Sequence, residues 1–269
     1  MTAAQSKLYS DDVSLIVVLL DTNPFFWAAS TSGNLPFSNF LNQVIPFLNS
    51  LLLLNQHNQV VLIATGVNSC DYIYDSAEAG GRNSIDAANV AAISSTILNR
   101  LENFVTKDAR LAKGSDKAAA GGNGISSLLS GSLSIALCYI QRVFRSGARH
   151  PEPRVPIDSC IVGPQHSAFL QQASYITGGV YLKPQHLDGL FQYLAAVFAS
   201  DLQSRSFLRL PKPVGVDFRA SCFCHKKTID MGYVCSVCLS IFCKHQKMCS
   251  TCGSDLNQSP PDSTRVSRS

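Results

Sequence analysis

Seven of the chain's ten cysteines fall between Cys222 and Cys252, in the run CFCHKKTIDMGYVCSVCLSIFCKHQKMCSTC. Within it, Cys235–Cys238 and Cys249–Cys252 each enclose two residues. Such turns aim both sulfurs to one side, and two of them supply the four soft ligands of a tetrahedral zinc ion. A segment this short has no core of its own, so the binding energy of the metal becomes its folding energy. The competing reading is a disulfide cluster, which requires an oxidising compartment. Asp11, Asp12 and Asp21 flank the first apolar run, Val13–Leu20, where an export signal carries positive charge. The thiols are therefore expected in a reducing compartment, nucleus or cytosol.

Five further residues are candidates for a second metal site: Cys222, Cys224, His225, Cys243 and His245. Taken in order, the pairs are Cys222/His225, Cys235/Cys238, Cys243/His245 and Cys249/Cys252. Cross-bracing would join the first pair to the third and the second to the fourth, giving two zinc ions. The alternative leaves Cys222, Cys224 and Cys243 as small buried residues. Lys226, Lys227, Lys244 and Lys247 make the module basic. No helix there carries spaced Arg, Asn or Gln to read a groove, so the lysines are expected on a solvated face.

The 269 residues leave room for one large domain ahead of this module. With 46% hydrophobic and only 15% charged residues, the chain is rich in core and poor in surface charge. Neither Val13–Leu20 nor Val44–Leu54 reads as a membrane span; the first is too short and the second is broken by Pro46, Asn49 and Ser50.

Val13–Leu20 and Val60–Ala64 read as buried strands, with a helix over Ser38–Asn55 that Pro46 should kink or break. Tyr72–Tyr74 suits a short edge strand in the polar, Gly-bearing stretch Asn68–Asn83. Ser84 is the expected N-cap of a long helix carrying Ile93, Ile97, Leu101, Phe104 and Val105. Gly114–Gly124 reads as a loop. A further helix should turn Ile125, Leu128, Leu129, Leu133, Leu137, Ile140 and Phe144 inward. Ile157–Val162 and Tyr175–Leu182 read as strands around a short helix near His166–Ala173. Leu187–Ala199 reads as a last helix with Leu190, Phe191, Leu194 and Phe198 inward. No internal repeat is evident.

This alternation predicts an α/β fold: a doubly wound, mostly parallel sheet over residues 12–200. A linker is expected over 201–220, the zinc module over 221–253 and a disordered tail over 254–269.

In such a sheet a site lies beyond the carboxyl ends of the strands, here at Asp21-Thr22-Asn23-Pro24-Phe25. A metal-dependent adhesion site needs Asp-x-Ser-x-Ser. An amide at Asn23 and a phenyl ring at Phe25 are poor replacements, so Asp21 is expected to turn or cap the backbone. No phosphate-cradling loop, nucleophile elbow or carboxylate pair suggests catalysis.

Five stretches carry a family resemblance: VSLIVVLLDTNPFFW, FLQQASYITGGVYLKP, LFQYLAAVFASD, RASCFCH and GYVCSVCLSIFC. The chain resembles the subunit 3 family of general transcription factor IIH (TFIIH), which joins a von Willebrand factor A-like domain to a C-terminal C4 zinc finger. The resemblance implies a nuclear, non-enzymatic scaffold in the core of the complex. Its partners would be other TFIIH core subunits, above all the other subunit bearing von Willebrand A and zinc modules. The complex opens DNA at promoters and excision-repair lesions, so DNA would be met only through it, and no membrane is implied. The C4 finger falls on Cys235, Cys238, Cys249 and Cys252. The Asp21/Asn23/Phe25 pattern agrees with a lost metal site.

The chain departs from the family in one place. Members carry a further strand and helix where only Arg145–Pro156 joins the helix ending near Phe144 to the strand at Ile157. A sheet missing an inner strand must close the gap or leave an edge exposed. Two other functions fit parts of the pattern: a RING-like ubiquitin ligase module and a metal-dependent adhesion domain.

Overall fold

The computed structural model describes residues 14–30, 36–55, 58–78, 87–113, 126–145, 155–164, 166–211, 216, 218–225 and 227–256. The chain divides into two compact units, Met1–Val214 and Gly215–Ser269.

In the first unit the apolar runs form the strands expected of them. β1 (Leu15–Asp21) pairs in parallel with β2 (Gln59–Thr65), in a register from Leu15 opposite Gln59 to Asp21 opposite Thr65. β3 (Cys70–Asp75) adds an antiparallel edge with a register shift at Leu62/Ile63. Successive side chains alternate between faces, which divides the core in two. Ile16, Val18, Leu20, Val60, Leu62 and Ala64 belong to the larger cluster, with Trp27, Leu48, Leu51, Ile97, Leu101, Phe104 and Leu190. Leu15, Val17, Leu19, Val61 and Ile63 pack on the other side with Ala136 and Tyr139. Each fully buried Leu or Ile contributes about 1.5–3 kcal/mol relative to exposure.

The larger cluster is closed by α2 (Phe37–Leu54), α3 (Ala87–Lys113) and α6 (Leu190–Phe198), the smaller by α4 (Leu129–Arg145). α2 is one element with Pro46 inside it, and Phe40, Leu41, Val44, Leu48, Leu51 and Leu52 are all buried. By length and composition α2 could cross a membrane, but half of it is buried in this core. The expected N-cap Ser84, the loop 114–124 and the tail from 257 lie outside the described residues.

α1 (Pro24–Ser30) was not expected. Asn23 starts it: its side-chain Oδ1 accepts from Phe25 N–H at 3.0 Å, and its carbonyl accepts from Trp27 N–H at 3.2 Å. Pro24, which has no N–H to leave unpaired, takes the first helical position.

Three expectations need correction. The inward face of α4 is Ser132, Ala136, Tyr139 and Ile140, whereas Leu128 and Leu137 are exposed and Leu133 and Phe144 half-buried. Small residues let α4 approach the sheet closely, and the phenol of Tyr139 finds Asp75 Oδ2 at 2.6 Å, so this polar-edged face wins over the leucine stripe. Next, Tyr175–Thr177 is the end of α5 (Ala168–Thr177), not a strand. Ser167 caps α5 at its start, and Gly178 closes it with a left-handed φ of 72°. Only β5 (Tyr181–Leu182) remains extended. Finally, α6 buries Leu190, Leu194 and Val197, leaving Phe191 exposed.

Among the described residues the strands of this unit fall into two separate sheets. β4 (Ser159–Cys160) pairs in parallel with β5, as a separate two-stranded sheet. β1 stands at the end of the order β1-β2-β3, so one of its edges has no strand beside it among the described residues. Of the joint Arg145–Pro156, residues 146–154 lie outside the described residues.

The expected linker is anchored at its start. Arg205 makes a two-pronged ion pair with Asp158, Nη1 to Oδ1 at 2.9 Å and Nη2 to Oδ2 at 2.5 Å. Asp158 Oδ1 also accepts from Val180 N–H at 2.8 Å, joining residues 200–206 to the β4–β5 sheet.

Candidate metal centre

The second unit is built from turns that present cysteines. β6 (Tyr233–Val234) and β7 (Ile241–Phe242) form its short antiparallel hairpin. Between them Cys235 N–H donates to Ser240 O at 2.9 Å, and Leu239 N–H donates back to Cys235 O at 2.9 Å. Leu239 adopts a left-handed φ of 60° to close this loop. The same loop recurs at Cys249, whose N–H donates to Ser254 O at 2.8 Å while Gly253 N–H donates to Cys249 O at 2.9 Å. Here the left-handed position, φ 74°, is filled by glycine. The two stretches, CSVCLS and CSTCGS, are one six-residue pattern written twice, a repeat that the sequence displays and that a search for longer periods misses.

These loops bring four sulfurs together. Cys235 Sγ lies 3.7 Å from Cys252 Sγ, and Cys238 Sγ lies 3.5 Å from Cys249 Sγ. All four ligand atoms are within 4.8 Å of one another. Sulfurs about 2.3 Å from a tetrahedral zinc would stand about 3.8 Å apart, whereas a disulfide requires about 2.05 Å. All ten cysteines are free thiols, so the set fits a metal ion and not a pair of bridges. Cys235 and Cys249 are buried with Phe242, the only large apolar side chain wholly buried in this unit among the described residues.

The surroundings favour the thiolate form that a metal requires at two of the four cysteines, whereas at Cys238 the lowering hydrogen bonds of Ser240 are outweighed by burial and the neighbouring Cys252 and Cys249 thiols, which raise it. Ser254 lies against Cys252, its Oγ 2.7 Å from Sγ, and its hydroxyl and N–H bring that thiol down to about 6. The N–H groups of Cys238 and Val237 lower Cys235.

A second group forms from Cys222, Cys224, His225 and Cys243, whose ligand atoms also lie within 4.8 Å of one another. His245, the remaining sequence candidate, is outside it; its ring meets Tyr233 edge-on, with centroids 5.5 Å apart.

At the end of β1 the adhesion-type site is closed by hydrogen bonds. Asp21 Oδ1 accepts from Asn23 N–H at 3.0 Å, and Ser127 Oγ lies 2.8 Å from both carboxylate oxygens. Asn23 Nδ2 donates to Ser127 Oγ at 3.3 Å. Asp21 turns the backbone, as expected, and in addition fastens the segment before α4. Ser127 was missed by sequence reasoning because it lies 106 residues further along.

The comparisons with known proteins cover both units. A family model described as transcription factor Tfb4 matches residues 13–155 and 150–253. The match is in two pieces that overlap at residues 150–155. General transcription and DNA repair factor IIH subunit TFB4 of Arabidopsis thaliana is 56% identical over 97% of this chain and 95% of its own length. That alignment spans 292 positions against a chain of 269, so at least 23 have no residue here. The subunit tfb4 of Schizosaccharomyces pombe is 33% identical over 93% of this chain and 91% of its own. The crystal structure of the TFIIH p34 N-terminal domain shares the fold, with a TM-score of 0.52 at 23% identity over 69% of this chain and 98% of that one. On these matches the chain belongs to the Tfb4 transcription factor family.

Proposed function

We propose that this chain is a nuclear, non-enzymatic scaffold subunit of the TFIIH core, serving transcription initiation and nucleotide excision repair by docking other subunits. The observation that carries this reading is the family match, which runs through the first unit and on through the cysteine module. The first unit is read as a von Willebrand A-like domain over 12–200, doubly wound and mostly parallel, lacking one strand-helix unit. The stretch 201–220 is its linker, 221–253 the zinc module and 254–269 a disordered tail. Within the module, Cys235, Cys238, Cys249 and Cys252 hold zinc, the ion suited to four thiolates at tetrahedral spacing. The ion acts as a structural clamp.

The partners in this reading are the other TFIIH core subunits, above all the one that itself bears von Willebrand A and zinc modules. DNA is met through the complex. Exposed apolar residues on the module, including Tyr233, Val234, Val237 and Leu239, suit protein docking. Affinity purification of the tagged full chain from nuclear extract tests the proposal. Recovery of the TFIIH core subunits is expected, and their absence from the eluate would refute it.

The interleaved order of the two cysteine groups favours one second reading, a RING-like ligase. It requires ubiquitin chains to form when a conjugating enzyme is supplied; none are expected.

A further inference from the structure

The loop at Cys222 repeats one backbone hydrogen bond of the two loops that carry the C4 set. Cys222 N–H donates to Lys227 O, five residues ahead, at 2.9 Å, just as Cys235 does to Ser240 and Cys249 to Ser254. Its sulfur is buried, with Cys222 1% exposed. Cys222 Sγ lies 3.8 Å from His225 Nδ1, and Cys243 Sγ lies 3.3 Å from the same nitrogen. Cys224 Sγ lies 3.5 Å from Cys243 Sγ. A tetrahedral zinc with three sulfurs and one imidazole nitrogen has S···N edges of about 3.6 Å and S···S edges of about 3.8 Å. The two S···N distances bracket their edge, and the S···S distance is about 0.3 Å shorter than its own.

We propose that Cys222, Cys224, His225 and Cys243 bind a second zinc ion, with His225 coordinating through Nδ1. Three soft thiolates and an imidazole at tetrahedral separations select zinc over hard cations, which need oxygen ligands. The neutral tautomer with its proton on Nε2 leaves Nδ1 available to the metal. His245, two residues past Cys243, is not a ligand.

The two sites share a strand. Phe223 N–H donates to Ile241 O at 2.8 Å, which holds the Cys222 loop against β7. β7 runs directly into Cys243, while its Phe242 fills the core of the C4 set. Along the chain the ligands alternate between sites: 222 to 225, then 235 and 238, then 243, then 249 and 252. Removing either ion therefore loosens the strand on which the other depends, and the two are expected to leave together.

The inference concerns the same module as the proposed C4 clamp but does not rest on it. Elemental analysis of the purified full chain should return two zinc ions per chain. One would overturn the second site and leave the C4 clamp standing, and none would overturn both. X-ray absorption at the zinc edge should show seven sulfurs and one nitrogen shared between the two ions, the nitrogen at about 2.0–2.1 Å. A sulfur-only shell in the wild-type chain would contradict the His225 assignment. His225→Cys should keep two zinc ions and lose the nitrogen signal. Nitrogen retained in that variant would place His245 at the metal and overturn the ligand set.

Discussion

Gly66 and Asp108 are packed so closely that no side chain fits between them: a Cβ on Gly66 would stand 2.5 Å from Asp108 Cγ. Asp108, on α3, is 3% exposed and grips the loop after β2. Its Oδ2 accepts from Val67 N–H at 3.0 Å, and its Oδ1 accepts from Asn68 N–H at 3.0 Å and Ser69 Oγ at 2.7 Å. One carboxylate thus satisfies the turn that reverses the chain into β3.

Asp108→Ala is expected to cost about 2–3 kcal/mol, because two amides and a hydroxyl lose their acceptor in a tight site. Asp108→Asn should cost less, since its amide oxygen still accepts, and Gly66→Ala should destabilise by steric clash. Urea titration followed by the fluorescence of Trp27 checks this. It is the chain's single tryptophan and lies in the larger core cluster.

Ser127→Ala should lower the stability of the first unit by about 1 kcal/mol, by removing the hydroxyl that meets both oxygens of Asp21. Added Mg²⁺ should leave the melting temperature of the wild-type chain unchanged. A rise with Mg²⁺ that Asp21→Ala abolishes would show a working adhesion-type cation site instead.

Tyr139 gives the first unit a sensitivity to alkali. Burial, and then the hydrogen bond and charge of Asp75, raise its phenol above the ordinary value of 10.0. The protonated phenol is favoured in the folded state, so its contribution is fully present below pH 10 and is lost as pH rises beyond it. Tyr139→Phe should cost about 1 kcal/mol at neutral pH and flatten the decline above pH 10. Melting curves across that range measure both effects.

Zinc chelation should unfold the second unit while leaving Trp27 fluorescence in place, because Trp27 belongs to the separate first unit. Cys252→Ser should reproduce the loss without chelator, since it removes one of four converging sulfurs. Limited proteolysis should then cut within 215–269 and spare the first unit.

Much of this molecule is legible in its residues. β1, β2 and α2 follow from continuous or helical apolar runs, and the paired cysteines announce their cluster by spacing alone. What was not legible depended on competition between signals. At α5, Tyr175, Ile176 and Thr177 favour a strand in isolation, but Ser167 and Gly178 cap a helix through them. On α4, periodicity offers two adjacent stripes and cannot say that the one with Tyr139 meets the sheet. Asn23-Pro24 is a helix start that a search for metal ligands passes over. That Cys224, and not His245, joins Cys222, His225 and Cys243 is set by the folded loops, which spacing does not encode.

The scaffold role is tested most directly by reconstitution. The TFIIH core subunits are co-expressed with and without this full chain, and the mass and composition of the product are measured. A complete complex containing one copy of the chain, and an incomplete one in its absence, is the predicted result. A core of full composition that assembles without it, or that leaves it unbound, would contradict the account.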